Sequence, residues 1–271
     1  MPAESRRLQI IELLGKSGTG VISVNHLAKQ LGVSEMTVRR DLDWLEEHSV
    51  LKRVHGGAMV YQKDEEPPYN DRLTRSNPQK TAIGWAAAQL IKAGDRVILD
   101  AGTTTQQVVH HLVSLPNLTV ITNNVHTIAE LAHYPQIETI LLGGMLKHQE
   151  GCTVGPMVTQ ALSVLAVDKV FLSASGLDAR QGVTDLDMRE VEVKQAMMHS
   201  AREVILVADS SKWGKVKLVR IAFFHQIQRI VTDDLITPEA VAALESAGVE
   251  VITPERIAAS IVHPLDKGET A

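Results

Sequence analysis

Cysteine is almost absent: Cys152 is the single thiol in 271 residues. One cysteine excludes an intrachain disulfide framework and a multi-cysteine zinc site. Long apolar runs are absent as well; none reaches the roughly 18 residues that a membrane-crossing helix needs. The first twenty residues lack the basic, apolar and small-residue layout of a secretory signal. The expected setting is the cytoplasm, with no membrane partner. A basic excess is also lacking, since the formal net charge is −5, which at first sight argues against nucleic acid. The charge is uneven, however. Residues 1–60 hold eight Lys or Arg against seven Asp or Glu, and the remainder holds 19 against 25. A small module needs only a local basic face to bind nucleic acid, so net charge decides little. Metal chemistry has little support among the eleven histidines. His110 and His111 are adjacent and cannot share a helix face, and His126 and His133 lack a third ligand at useful spacing. No cofactor and no metal are expected.

What is present reads in two parts. In the first, Leu8, Ile11 and Leu14 recur at a helical spacing along Arg6–Lys16, and Ser17–Gly20 breaks that helix. Ser23 is placed to cap a second helix with Val24, Leu27, Ala28 and Leu31 inward, and Gly32 to end it. Ser34 is placed to cap a third, with Val38, Leu42 and Leu45 buried. Three short helices with a tight turn between the last two fit a helix-turn-helix. Two β-prone runs, Val50–Val54 and Ala58–Tyr61, flank His55-Gly56-Gly57, a hairpin signal. A hairpin in that place is a wing.

In a helix-turn-helix the N-terminal turns of the second motif helix enter the major groove. That places Ser34, Glu35, Met36, Thr37 and Arg40 to meet base edges, with arginine suited to guanine. Thr37 and Arg39 are equally suited to phosphate, which fixes register but not sequence. Lys52, Arg53 and His55 on the wing add backbone or minor-groove contacts. Taken alone, a face made of Arg39, Arg40, Asp43 and Glu46 is no more than a solvated helix side. The order of helices, caps and wing is what favours DNA.

Residues 62–79 are polar, with three prolines, and read as a linker. From 80 to 262 strand and helix patterns alternate, which implies βαβ units and a mostly parallel sheet. The strand candidates are Arg96–Leu99, Leu118–Ile121, Glu138–Leu142, Val170–Ala174, Val204–Ala208, Ile230–Thr232 and Val249–Ile252. Residues 263–271 are expected to be a disordered tail. The fold expected is thus α/β: a winged helix-turn-helix over 1–61 and an α/β domain over 80–262.

Five successive strands end in small or hydrogen-bonding residues. These are Asp100, Gly102, Thr103, Thr104 and Thr105; Thr122, Asn123 and Asn124; Gly143 and Gly144; Ser175, Gly176 and Asp178; and Asp209 to Lys212. In an open parallel sheet the ligand crevice lies outside the carboxyl ends of the strands. Gly102-Thr103-Thr104-Thr105 opens a helix, whose free amides favour an anion. Lys212 offers countercharge, and Asp100, Asn123 and Asp178 offer partners for sugar hydroxyls. Each motif alone is also an ordinary capped turn. Cys152, in a loop, reads as a plain thiol rather than a redox switch.

The string Ser34-x-x-Thr37-Val38-Arg39-Arg40-Asp41-Leu42-x-x-Leu45, followed by Arg53-Val54-His55-Gly56-Gly57-Ala58, resembles the N-terminal signature of DeoR-family transcription regulators. The likeness extends through Lys80-x-x-Ile83, Leu99-Asp-Ala-Gly-Thr-Thr-Thr105, Val120-Ile-Thr-Asn-Asn124, Leu142-Gly-Gly144, Gly176-x-Asp178, Glu190-x-Glu192-Val-Lys194 and Ala208-Asp-Ser-Ser-Lys-Trp-Gly214. It covers about residues 5 to 255. The resemblance implies that Asp41 bonds within the module rather than reading a base. It also implies an effector domain similar in fold to ribose-5-phosphate isomerase and glucosamine-6-phosphate deaminase, sensing a phosphorylated sugar, with Glu190 among the site residues. Two residues depart from the family pattern. Ser173 stands where glycine is more usual, and Trp213 where phenylalanine is. The function expected is a DNA-binding repressor of a sugar-metabolism operon, a homodimer or homotetramer on double-stranded operator DNA, relieved by the sugar phosphate. The alternatives are a phosphosugar isomerase or deaminase, with Asp100, Glu190, Glu192 and Lys212 as acid–base candidates, and a DNA-binding scaffold without a ligand. No catalytic residue is expected on the favoured reading.

Overall fold

The computed structural model describes residues 2–16, 21–47, 51–54, 57–60, 69–74, 77–112 and 115–262. The Ser17–Gly20 break, His55, Gly56, residues 62–68 of the expected linker and the 263–271 tail lie outside them. The chain divides into two compact units, residues 1–76 and 77–271.

The first unit runs α1 (Ala3–Lys16), β1 (Val21–Ser23), α2 (Val24–Leu31), α3 (Glu35–Glu47), β2 (Leu51–Val54), β3 (Gly57–Val60) and α4 (Tyr69–Thr74). Ser23 caps α2 by accepting the His26 amide at 3.2 Å. Gly32, at φ 65, turns the chain out of it in the left-handed region, which glycine enters without steric cost. Ser34 caps α3 by accepting the Thr37 amide at 3.1 Å. Val24, Leu27, Ala28, Leu31, Val38, Leu42 and Leu45 form the core with Ile10, Leu14, Leu51 and Ala58. On α1 the inward stripe differs from the expected one. Ile10 and Leu14, four apart, are buried, whereas Leu8 is 65% exposed. A spacing of three fixes a helix face only to within a fraction of a turn, and packing chose the neighbouring stripe. The wing hairpin pairs β2 with β3, and β1 adds a third antiparallel strand. Within the stretch read as linker, α4 occupies 69–74 and the next helix begins at Asn77.

The second unit runs α5 (Asn77–Ala88), β4 (Arg96–Leu99), α6 (Thr103–Val109), β5 (Thr119–Thr122), α7 (Val125–Leu131), β6 (Glu138–Leu141), β7 (Met145–Lys147), β8 (Cys152–Val154), α8 (Pro156–Ser163), β9 (Val167–Leu172), β10 (Gly176–Asp178), β11 (Gly182–Asp185), α9 (Met188–Ser200), β12 (Ala201–Val207), β13 (Val219–Ala222), β14 (Arg229–Val231), α10 (Pro238–Ser246), β15 (Glu250–Ile252) and α11 (Pro254–Val262). Seven strands form one sheet in the order β15-β14-β12-β9-β4-β5-β6, and every pair in it is parallel. All seven correspond to the strand candidates above. The apolar runs of the inner strands are continuous because both faces are covered, whereas edge strand β6 leaves Ile140 and Leu141 exposed. Val97, Leu99, Phe171 and Ile205 face one layer with Ile83, Val108 and Leu131. Ile98, Val170, Leu172 and Leu206 face the other with Val158, Met197 and Leu244.

From β4 the chain runs through β5 to β6 at one edge. It then returns to β9 on the opposite side of β4 and continues outward. The topological switch point therefore lies between β4 and β9, where a crevice opens at the strand ends. Two smaller antiparallel groups, β7-β8 and β10-β11-β13, stand outside the main sheet. The sequence reading had no strands there, because segments of three or four residues show no periodicity.

Candidate functional site

The first unit presents one charged helix face. Met36, Arg39, Arg40 and Asp43 on α3 are exposed. Asp41, on the opposite side, is 2% exposed. It is bonded by the Arg6 guanidinium, whose Nη2 donates to Oδ1 at 3.2 Å, and by Arg7 Nε at 3.2 Å. The hydrogen bond to Asp41 raises the Arg6 pKa still further. Arg7 also stacks on the Trp44 ring, 3.8 Å from its centroid. Asp41 thus ties α1 to α3, as the resemblance implied. Ser34 and Thr37 are engaged in the cap, their hydroxyls 2.9 Å apart. Glu35 accepts from Asn25 Nδ2 at 3.0 Å and pairs with Arg39 at 3.6 Å. Arg53 on the wing pairs with Asp43, and Lys52 lies beside it on β2.

In the second unit the switch point holds a buried ionic network. Asp100, just past β4, is 2% exposed. Its Oδ2 accepts from the Ser173 amide at 2.9 Å, from the Ser173 hydroxyl at 2.7 Å and from Lys194 Nζ. Lys194, on α9, also donates to Ser173 Oγ at 2.8 Å and lies 3.5 Å from Asp185. Burial by itself lowers the Lys194 pKa. Asp100, Asp185 and Glu190 outweigh that effect and raise it, so the side chain stays an ammonium. Ser175 Oγ in turn donates to Asp185 at 2.8 Å. Glu190 lies one turn before Lys194 and pairs with Lys147 of β7. Burial, then the nearby Asp185, push the Glu190 carboxyl up to about 7, against the pull of Lys194 and Lys147.

Beside this network α6 begins. A Cβ on Gly102 would lie 2.7 Å from Ser173 Cβ, so β4 and β9 ends approach closely only with glycine there. Thr105 Oγ1 donates to Asp100 O at 2.8 Å. Lys80 of α5, 5% exposed, brings Nζ within 3.0 Å of Thr103 Oγ1. Since α6 has only seven residues, the positive charge at its start comes from Lys80 more than from a helix dipole. Past β5, Asn123 donates to Thr153 O at 2.9 Å, and its Oδ1 is buried without a partner among the described residues. Thr122 Oγ1 accepts the Asn124 amide at 3.1 Å, and Asn124 caps α7 by accepting the His126 amide at 2.9 Å.

The other expected residues have different surroundings. Asp178 sits at the β10-β11 turn, where its Oδ1 accepts the Arg180 and Gln181 amides at 2.9 Å each. Those two bonds hold its carboxyl below the ordinary value. Its Oδ1 braces a hairpin turn of the separate antiparallel group rather than a parallel strand end. Gly176 lies inside β10, packed against the Lys215 carbonyl, and Gly144 packs on Val158. Gly143 is exposed after β6. Lys212 is half-buried on a short 3-10 turn after β12. Trp213 stacks on Phe224 with centroids 6.0 Å apart. Cys152 is fully buried. Burial first, then Glu190 and Asp100, push its thiol up to about 12, so it is a protonated core residue at neutral pH. Among the described residues no group of three or more His, Cys, Asp or Glu is arranged to hold a metal, and no helix is long and apolar enough to cross a membrane. A hollow on α5, lined by Asn77, Pro78, Thr81, Ala82, Trp85 and His111, shares none of its residues with the strand-end set.

Comparison with known proteins agrees with this division. Residues 6–64 match the DeoR-like helix-turn-helix domain. Residues 75–234 match the DeoR C terminal sensor domain. The chain belongs to the DeoR family. One DeoR-family relative, the uncharacterized HTH-type transcriptional regulator YulB of Bacillus subtilis, is 36% identical over 93% of this chain and 96% of its own length. Another, the glycerol-3-phosphate regulon repressor of Escherichia coli K12, is 31% identical over 86% of this chain and 92% of its own. Among solved structures, ribose 5-phosphate isomerase A from Methanocaldococcus jannaschii is similar over 51% of this chain and 54% of that one, with 16% identity and a TM-score of 0.38.

The buried network of the DeoR sensor unit includes residues that the strand-end reading did not select. Asp185 was missed, and Lys80, Ser173 and Lys194 appeared only through the family likeness. A signal existed for both lysines. Lys194 lies on the inward side of α9 with Val191 and Met197, and Lys80 on that of α5 with Ile83. A lysine on an apolar stripe must be paired, because burying an unpaired charge is prohibitive.

Proposed function

We propose that this DeoR-family chain is a transcriptional repressor of a sugar-metabolism operon, with residues 1–61 binding operator DNA and residues 80–262 sensing a phosphorylated sugar and assembling the oligomer. The phosphate sits at the start of α6, on the Gly102–Thr105 amides and hydroxyls, with Lys80 as its near countercharge and Lys212 as a second. Asn123 Oδ1, and Asp100 held in its network, receive sugar hydroxyls. The observation that carries the reading is a pair of features past two neighbouring strands: after β4 a buried lysine 3.0 Å from Thr103 Oγ1, and after β5, which pairs with β4, a buried amide oxygen of Asn123 with no partner among the described residues. An anion and a polyol need those two chemistries side by side. The regulon named for the E. coli relative, glycerol 3-phosphate, is of the same chemical kind. Effector binding then favours a state with lower operator affinity. The protein acts in the cytoplasm as a homodimer or homotetramer.

A thermal-shift screen against sugar phosphates, with parent sugars and inorganic phosphate as controls, tests this. A ligand at about 100 times its Kd adds roughly 2.7 kcal/mol of stability. The expected result is stabilisation confined to a phosphorylated sugar, with lowered operator affinity at the same concentration. A flat screen with operator binding intact removes the sensing half of the proposal.

A further inference from the structure

The side chains at the cap and on the outward face of α3 have quite different freedom. Glu35 is held at two points, by Asn25 Nδ2 at 3.0 Å and by Arg39 at 3.6 Å. Asp43 is paired to Arg53. Ser34 and Thr37 are turned into the helix cap. Two residues are left. Arg40 is exposed and makes no ion pair or hydrogen bond among the described residues. Met36 is 61% exposed and takes no part in the core. A large apolar side chain in the first turn of a helix, with nothing to cover it, gains nothing in the free protein. Four residues apart, the two share one face. At 1.5 Å rise per residue they stand about 6 Å apart along α3, under two base-pair steps of about 3.4 Å.

We infer that α3 reads two neighbouring base pairs, Met36 through the 5-methyl of a thymine and Arg40 through the O6/N7 edge of a guanine. This rests on the operator-binding reading above. The thymine methyl is the one apolar group that a base pair shows in the major groove, and guanine is the base that matches a guanidinium fork. Glu35 is kept from reaching a cytosine amino group by Asn25, and it directs Arg39 toward the phosphates that flank the site.

The test begins by selecting duplexes from a random library with the full-length protein. In the selected duplex each thymine is then replaced by deoxyuridine, and each guanine by 7-deazaguanine, one at a time. One deoxyuridine position should weaken wild-type binding about fourfold, the worth of one buried methyl at about 0.8 kcal/mol. The same change should leave Met36→Ala unaffected, and Met36→Leu should restore sensitivity. One 7-deazaguanine, within two steps of that thymine, should weaken wild type about tenfold or more and leave Arg40→Ala unaffected. Both positions are exposed, so unchanged melting temperatures separate reading from folding. If the selected duplex binds tightly yet no thymine responds to methyl loss, or the response survives Met36→Ala, the inference is wrong while operator binding stands. If no duplex is selected, operator binding itself fails and the inference falls with it.

Discussion

The Ser173 hydroxyl lies 2.7 Å from Asp100 Oδ2 and 2.8 Å from Lys194 Nζ, and Gly102 is packed against the same side chain. These two residues occupy one space, so their substitutions should not add. Gly102→Ala alone is expected to cost about 1–3 kcal/mol through overpacking. In a Ser173→Gly background at least half of that cost should disappear, as read by urea unfolding of both single variants and the double. Strict additivity would show that the approach of β4 to β9 is relaxed elsewhere. Glu190 gives a pH prediction of definite sign. Its folded pKa of about 7 exceeds the ordinary 4.5, so the folded state holds the proton more tightly than the unfolded chain. The stability it contributes is complete below pH 4.5 and is lost as pH rises through about 7. Glu190→Gln, always neutral, should therefore lose less stability than wild type between about pH 5 and pH 8 in urea titrations. An equal loss would assign the slope to other groups.

At the scale of elements, α3 depends on its cap as much as on its buried stripe. Ser34 Oγ satisfies the Thr37 amide, which has no partner within the helix, and an N-cap serine replaced by alanine typically costs about 1 kcal/mol. Ser34→Ala should lower the unfolding free energy of the first unit by about that amount and fray the turn that carries Met36. Amide exchange at residues 35–37 should quicken in step. The caps and apolar stripes of α2 and α3 are legible in the sequence because both are local: one side chain, one amide, a period of 3.6. The seven parallel strands were legible for the same reason, as apolar runs between turns. The antiparallel β10-β11-β13 group was not. Its strands draw their stability from pairing Gly176–Asp178 with Gly182–Asp185, and those with Val219–Ala222, and short segments carry no trace of a distant partner.

For the whole molecule, two compact units imply that DNA binding and sensing are separable by single substitutions. Arg40→Ala should weaken operator binding by about 1–3 kcal/mol and leave sugar-phosphate stabilisation unchanged. Lys80→Met should abolish that stabilisation and leave effector-free operator affinity unchanged. Gel-shift titrations and thermal shifts on both variants give four readings. Loss of both activities in either variant would mean that the residue serves the fold rather than a site.

The sequence by itself determined which faces of α2 and α3 are buried, where those helices are capped, which segments become the strands of the main sheet, and that polar residues gather at the strand ends. Each of these is set by residues within a few positions of one another. Only the tertiary structure decided that α1 buries Ile10 instead of Leu8, that Asp178 Oδ1 braces a hairpin turn, and that Lys194 reaches Asp100 across 94 positions of chain. Periodicity says that a side chain is buried; the order in which strands lie side by side says against what. Asp100 and Ser173 meet because β4 and β9 became neighbours at the switch point, and a lysine among apolar residues is stable there because Asp100 after β4 and Asp185 of β11 both reach it.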